Sequence, residues 1–421
     1  MLDGIYLAQE ELKHENIINT KVAQRYETLQ EVPKEANKFD EMFDNADVYG
    51  QVRLAYIDDV HNASKSALKE QKSATAIGGE LGLKSAEYNG FSFNVSAYIS
   101  QNIGFLSPSK EDLNPDFVNL NQDSFAYIGE ASANYANEFA QVKIGRVKVE
   151  TPYANSDDIR MVANTFEGAF AKIDYSQNLS SEVMFLNRWA GYDSQDTQSQ
   201  DTFKNLYEDS KGMGIASLKY EYAKDSSASL WINHVDTMSQ IFYAEVAGSY
   251  AIEEDSLSVD YGFQASAIRE LENSGVAGNV YGFMANIHYE GAFLGLAYNK
   301  AYVEAQKSIT DGFGGGPYYT SLDEATIGAM SEAAVGKDVE ALRMSGGYDL
   351  KEVGNGVLNG FMLEVVYGKL QSKEKSVIEK DIIISYEMDE KWHIEGIYTN
   401  FSAAYEDENF HRTLVRANYS F

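Results

Sequence analysis

The chain has 421 residues, with 64 Asp and Glu against 34 Lys and Arg and a formal net charge of −30. Such a charge repels a phosphate backbone and argues against nucleic-acid partners. The absence of cysteine excludes a disulfide scaffold, a thiolate metal site and a cysteine nucleophile.

Residues 1–45 are polar, rich in Gln, Glu and Lys, and carry little alternation. They read as a separate N-terminal segment, periplasmic or leader-like, of short helices or disorder with a stop near Pro33. No apolar core of a secretory signal lies in residues 1–30. No apolar run reaches the roughly 18 residues that a membrane-spanning helix needs.

From residue 46 onward the pattern changes to period two. In VYGQVRLAYI (48–57), Val48, Val52, Leu54 and Tyr56 share one face, and Tyr49, Gln51, Arg53 and Ala55 the other. FSFNVSAYIS (91–100) sets Phe91, Phe93, Val95, Ala97 and Ile99 against Ser92, Asn94, Ser96, Tyr98 and Ser100. LSVDYGFQASA (257–267), VYGFMANIHY (280–289) and LRMSGGYDL (342–350) alternate in the same way. The last stretch, VRANYSF, puts Val415, Ala417, Tyr419 and Phe421 on one face and Arg416, Asn418 and Ser420 on the other. Strict alternation of this length marks strands with one apolar and one polar face. There are about 18 such segments. The high counts of Tyr (29) and Phe (21) suit a pleated surface.

The connections alternate between short and long. EYNG (87–90), YSQN (175–178), YEG (289–291) and MDEK (388–391) read as tight turns. Long stretches intervene at about 101–122, 149–165, 190–210, 304–338 and 371–378. A soluble sandwich has no reason for this alternation, whereas a transmembrane barrel has short turns at one end and long loops at the other. The segments are also longer than typical globular strands and fit tilted spans. The sequence therefore predicts an all-β, transmembrane antiparallel β-barrel over 46–421. A terminal strand ending on Phe421 would pair with the first strand, because an open edge cannot survive in lipid.

Residues 141–170 read QVKIGRVKVETPYANSDDIRMVANTFEGAF. Gly145, Arg146, Thr151, Pro152, Ser156, Asp157, Asp158, Arg160, Asn164, Phe166 and Gly168 together resemble the signature of the OprD-type porin family of Gram-negative bacteria. DGFGGGPYYTSLDE (311–324) is similar to that family's Gly-rich inward loop. Ala163 departs from the Pro often found at its position, and the family does not suggest the long N-terminal segment. The resemblance implies a substrate-preferring outer-membrane channel whose third and seventh external loops fold inward. It also implies a row of lumenal Arg and Lys that guides carboxylate-bearing solutes such as amino acids, small peptides or organic acids.

The residues can be read for charge independently. Arg53, Lys172, Lys219, Arg343 and Arg416 lie opposite apolar faces, so parity points them into the lumen. Arg146 follows Gly145, where the strand bends, and is counted with them although its direction is less certain. Arg412 has inward parity near a strand end. A basic row in a narrow channel concentrates anions, and arginine's fork takes a carboxylate bidentately. The same residues could instead neutralise inward acids such as Glu130, Asp174, Asp260 and Asp349. Asp157, Asp158 and Arg160 form the expected constriction loop. The two aspartates could pair with Arg160 or Arg146, close an Asx turn over 155–158, or receive the amino group of a zwitterion.

No cofactor, metal site or enzyme motif is visible: the six His lack HExxH or paired spacing, and no GxSxG occurs. His288 has inward parity and could partner a serine as in an outer-membrane phospholipase, a weaker reading. The expected partners are small anionic or zwitterionic solutes and outer-membrane lipid with lipopolysaccharide. Apolar faces fit lipid and a neighbouring copy equally, so monomer and homotrimer both stay open. A non-selective porin and an adhesive barrel with a closed pore are the alternative functions.

Overall fold

The computed structural model describes residues 34–62, 69–194, 199–207, 209–253, 256–352, 358–373, 375–404 and 408–421. Residues 1–33 of the N-terminal segment lie outside them. The chain closes into an 18-strand antiparallel barrel. In chain order the strands are β1 (Asp47–Asn62), β2 (Lys69–Lys84), β3 (Phe91–Asn102), β4 (Phe125–Ala136), β5 (Ala140–Val147) and β6 (Thr165–Ser176). Next come β7 (Leu179–Ala190), β8 (Met213–Ala223), β9 (Ser226–Val235), β10 (Ser239–Glu253), β11 (Leu257–Glu270) and β12 (Gly278–Tyr289). The last six are β13 (Ala292–Val303), β14 (Val339–Asp349), β15 (Phe361–Gln371), β16 (Ser376–Glu387), β17 (Trp392–Ala403) and β18 (Glu408–Ser420).

Each strand pairs with the next, and β18 returns to β1 in a register running from Gln51↔Ser420 to His61↔Phe410. Gly50 and Phe421 exchange both backbone hydrogen bonds at 3.0 Å, so pairing continues to the last residue. This closure removes both sheet edges. Trp392 packs on Tyr419 at 4.9 Å and Phe91 on Tyr135 at 4.9 Å, part of an aromatic belt at the short-turn end.

The outer wall is apolar. Leu294 is 71% exposed and Phe263 60%, a pattern that only lipid or another apolar surface makes favourable. At the short-turn end, residues 34–46 hug the rim. Ala36 and Lys34 bond to Glu87, and Met42 in the one-turn helix α1 (Glu41–Asp44) takes the backbone N–H of Ala86 at 2.8 Å. Phe43 stacks on the lipid-facing Phe93.

The inner wall is less uniformly polar than the alternation suggests. Val339, Ala341, Val366, Leu370, Ile383 and Ile397 face inward on β14–β17 and are buried. Apolar groups facing a wet lumen must be covered, and loop L7 (304–338) supplies Leu322, Ala325, Ile327 and Met330. Part of L7 is the helix α2 (Ile327–Ala333), capped by Thr326 Oγ1 accepting from Ala329 N. A Cβ at Gly368 would sit 1.9 Å from a Leu322 methyl, so β15 admits L7 only because that residue is glycine.

Candidate functional site

Three long-end loops meet inside the barrel: L2 (103–124), L3 (148–164) and L7. L3 and L7 join by backbone, with Asn155 N donating to Phe313 O at 2.8 Å and Phe313 N to Tyr153 O at 3.0 Å. Gly314 (φ +99°) allows the approach, since a Cβ there would lie 2.1 Å from Asn155 O. L3 crosses the lumen. At one side Tyr153 Oη bonds Ser266 Oγ of β11 at 2.6 Å and Tyr318 Oη of L7 at 2.8 Å.

At the other side L3 is clasped to β1 and β18. Arg53 donates to both Asp158 oxygens at 2.6 and 2.8 Å, to Arg160 O at 2.5 Å and to Asn418 Oδ1 at 2.7 Å. Arg416 donates to Asp158 O at 2.8 Å and to Glu395 at 2.5 Å. Burial pushes the Asp158 carboxyl up, but Arg53, Arg416 and Lys148 together outweigh it and hold its pKa at about 2.

Arg160 is fully buried. It binds Asp116 of L2 at 2.8 Å, Asp323 of L7 at 3.1 Å and Glu324 of L7 at 3.1 Å, and its guanidinium lies over the Tyr192 ring. Arg412 on β18 grips the same acids. It pairs with Asp59 at 2.7 and 2.8 Å, with Asp323 at 3.2 Å, and with Glu324. Two arginines and four carboxylates thus tie L2, L3 and L7 to the wall. Arg160 therefore anchors the loops and presents no surface to a solute.

Between this knot and the wall of β14–β18 lies a cavity of about 60 Å³. Its charged lining is Asp323, Arg343, Asp381, Glu395 and Arg416. Its apolar lining is Ile159, Leu322, Val366, Ile383 and Ile397. Arg343 Nη2 lies 3.6 Å from Glu364 Oε1. Arg343 also lines a second, smaller recess with Asn286, Tyr319 and Ser345. Glu379 accepts the backbone N–H groups of Glu324 (3.1 Å) and Ala325 (2.6 Å).

The expected site residues divide accordingly. Arg53, Arg343 and Arg416 face the lumen near the loops, but beside carboxylates. Lys172 and Lys219 also face inward, 3.9 Å from Asp174 and 3.4 Å from Glu221 on their own strands, and do not join the loop knot. Arg146 is a correction. The register runs unbroken through Gly145, opposite Ser132 and Gly168, so Arg146 shares the outer face with the 60%-exposed Ile144. There it pairs with Glu167 at 3.2 Å and covers the Phe203 ring. Asp157 closes an Asx turn, its N–H donating to Asn155 Oδ1 at 2.8 Å, and packs beneath Gly315 of L7. Asp158 pairs with Arg53, not with Arg146 or Arg160.

Sequence reasoning missed Asp59, Asp116, Asp323, Glu324, Glu364, Glu379, Asp381 and Glu395. Those on strands share inward parity with the chosen arginines and could have been found by the same rule. Inward folding of L2 was also unforeseen, although Leu113, Phe117 and Val118, all buried, have no stable place in a water-exposed loop.

A closed barrel with an apolar outer wall, a charged lumen and inward loops defines a porin of the outer membrane. The family profile described as outer membrane porin, OprD family, matches residues 109–320, and the chain belongs to that family. Its place is therefore the bacterial outer membrane, and it is a channel-forming barrel, not an enzyme. No curated protein matches the sequence. Among solved structures, Pseudomonas aeruginosa OpdQ is similar with a TM-score of 0.73 at 15% identity, covering 91% of this chain and 99% of its own. The P. aeruginosa OpdK structure with vanillate has a TM-score of 0.76 at 12% identity, covering 90% and 99%. Acinetobacter baumannii OccAB4 has 0.70 at 14%, covering 89% and 98%. At such identities the likeness is one of fold.

Proposed function

We propose that this barrel is a narrow passive channel for small carboxylate-bearing or zwitterionic solutes, such as amino acids and small peptides. One observation carries the reading. The cavity beneath the clasped loops presents charges of both signs, Arg343 and Arg416 beside Asp323, Asp381 and Glu395, on an aliphatic floor. A zwitterion can replace its hydration at such a surface, and a confined low-dielectric site strengthens the exchange. Arg53 and Arg416 act first as loop anchors and second as wall charges, and Arg343 as a wall charge beside Glu364, which modifies the guiding row implied by the family. The OpdK structure with vanillate, itself a carboxylate, gives the carboxylate reading a precedent in this fold.

Swelling of liposomes carrying the folded barrel tests this. Alanine should enter faster than erythritol, a neutral solute of similar size. Equal rates would make the barrel a non-selective porin, and no swelling would mean a closed pore.

A further inference from the structure

The outer face of β15–β18 carries no acid among the described residues, in a chain with 64 of them. Val365, Ile382, Tyr398 and Val415 are exposed on that face, and parity sets Lys369, Lys380, Asn400 and His411 beside them. Glu364, Glu379, Asp381 and Glu395 of the same strands are buried on the inner face. Lys369 pairs with Ile378 and Lys380 with Tyr367, so the two lysines are diagonal neighbours, about 7–8 Å apart at the backbone. Asn400 stands opposite Lys380, and His411 opposite Asn400. Neither lysine has an ion pair or a hydrogen bond among the described residues. The outward acids at this end of the wall are already engaged: Glu340 by Lys300 at 2.9 Å, Asp58 by Gln71 at 2.8 Å, and Glu167 by Arg146 and Arg188.

The level of the two lysines says what they meet. Lys369 lies eight residues above Phe361, whose ring stacks on Tyr386 at the short-turn end. A tilted strand gains about 2.5 Å of height per residue, which puts Lys369 about 20 Å up, near the top of an apolar band about 25 Å tall. There a lysine lays its methylenes on the wall and lifts its ammonium among the lipid headgroups. We infer that this face binds the phosphate group of an outer-leaflet glycolipid, lipopolysaccharide, with Lys369 and Lys380 as the donors that hold it. Two ammonium groups on the diagonal can grip one phosphate from both sides, each bringing three donors. His411 Nδ1 accepts from Asn400 Nδ2 at 2.8 Å, which leaves the ring proton on Nε2 as a further donor on the same face. The acyl chains lie below, along Val365, Ile382 and Ile384, all exposed. A second copy of the chain is a poorer occupant, because the outward acids that could meet these lysines are spent on its own wall.

The inference is independent of what crosses the lumen. Native mass spectrometry of the detergent-solubilised barrel follows binding of lipid A, the phosphorylated and acylated part of lipopolysaccharide, over a concentration series. Dephosphorylated lipid A and inorganic phosphate are run in parallel. The wild type should bind the phosphorylated lipid at least tenfold more tightly than the dephosphorylated one. Lys369→Gln combined with Lys380→Gln should weaken binding of the phosphorylated lipid by about thirtyfold, the effect of about 2 kcal/mol for two cations near a membrane surface. Lys369→Arg combined with Lys380→Arg should retain it. Heat-modifiable gel mobility establishes that each variant has folded. Equal binding of the two lipids by the wild type, or a glutamine variant that binds the phosphorylated lipid as the wild type does, would overturn the inference. Inorganic phosphate displacing the lipid at equal concentration would make this a free-anion site and overturn it too. Self-association that the glutamine variant abolishes, with no lipid A bound, would give the face to a second copy instead.

Discussion

Replacing Asp158 by alanine tests how L3 is held across the lumen. The wild-type carboxylate accepts two hydrogen bonds from Arg53, at 2.6 and 2.8 Å. Hydrogen bonds to charged groups contribute about 1.5–3 kcal/mol each. The Asp158 side chain is 38% exposed, so water recovers part of this, and about 2 kcal/mol for the pair is a fair remainder. The Arg53 side chain is only 3% exposed, and leaving it without its carboxylate adds about 1 kcal/mol. The sum, about 3 kcal/mol, changes the ratio of clasped to released L3 by about a hundredfold. The contact of Arg416 with the Asp158 carbonyl and the Tyr153–Ser266 bond remain, so the loop swings at one end only. Single-channel recording should show larger mean current and loop-like flicker, with the barrel intact by heat-modifiable mobility. A variant as quiet and as narrow as wild type would refute the reasoning, because the loop would then be held by the Arg160 knot and by its backbone contacts without the Asp158 clasp.

Other expectations follow from the same contacts. The Asp158 carboxyl is held at about 2, below the ordinary 3.8, so its contribution is fully present above that ordinary value and is lost as pH falls through about 2. Channel noise attributable to L3 should therefore stay constant from neutral pH down to 4, and Asp158→Asn should already be noisy at neutral pH. Gly368→Ala places a methyl on Leu322 and should cost about 1–3 kcal/mol by overpacking, read as a lower unfolding temperature and a wider pore as L7 lifts. Arg160→Met should loosen the Asp323–Glu324 end of L7 from L3, while the Asn155–Phe313 backbone pairing and the barrel remain. It breaks a buried charge network, and the carboxylates left behind cost about 3–5 kcal/mol, which limited proteolysis within L7 would report.

The barrel was legible because its signal is local. Alternation over one strand, as in 91–100 or 257–267, is set by lipid on one side and lumen on the other. The short and long connections set the two ends. Position along a strand also identified Arg53, Arg343 and Arg416 as inward. What each arginine touches was not legible, because the partners come from afar: Asp158 lies 105 residues beyond Arg53, and Glu324 lies 88 residues before Arg412. Such pairs depend on how far L3 and L7 reach across the lumen, which no single strand records. Arg146 misled because the backbone does depart from extended geometry at Gly145 (φ +132°), yet the pairing register continues through it and carries Arg146 to the outer face. The inward apolar residues of β15–β17 were a readable sign that a loop must cover them, since Val366, Ile383 and Ile397 share parity with Glu364, Asp381 and Glu395.

The most direct test of a channel narrowed by clasped loops and filtered by wall charges is the single-channel current of the intact protein in a planar bilayer. It is recorded before and after addition of a small amino acid at millimolar concentration. The account predicts small, well-resolved steps that the amino acid interrupts and that Arg343→Gln alters. Large steps indifferent to the solute, or a folded barrel that carries no current, would contradict it.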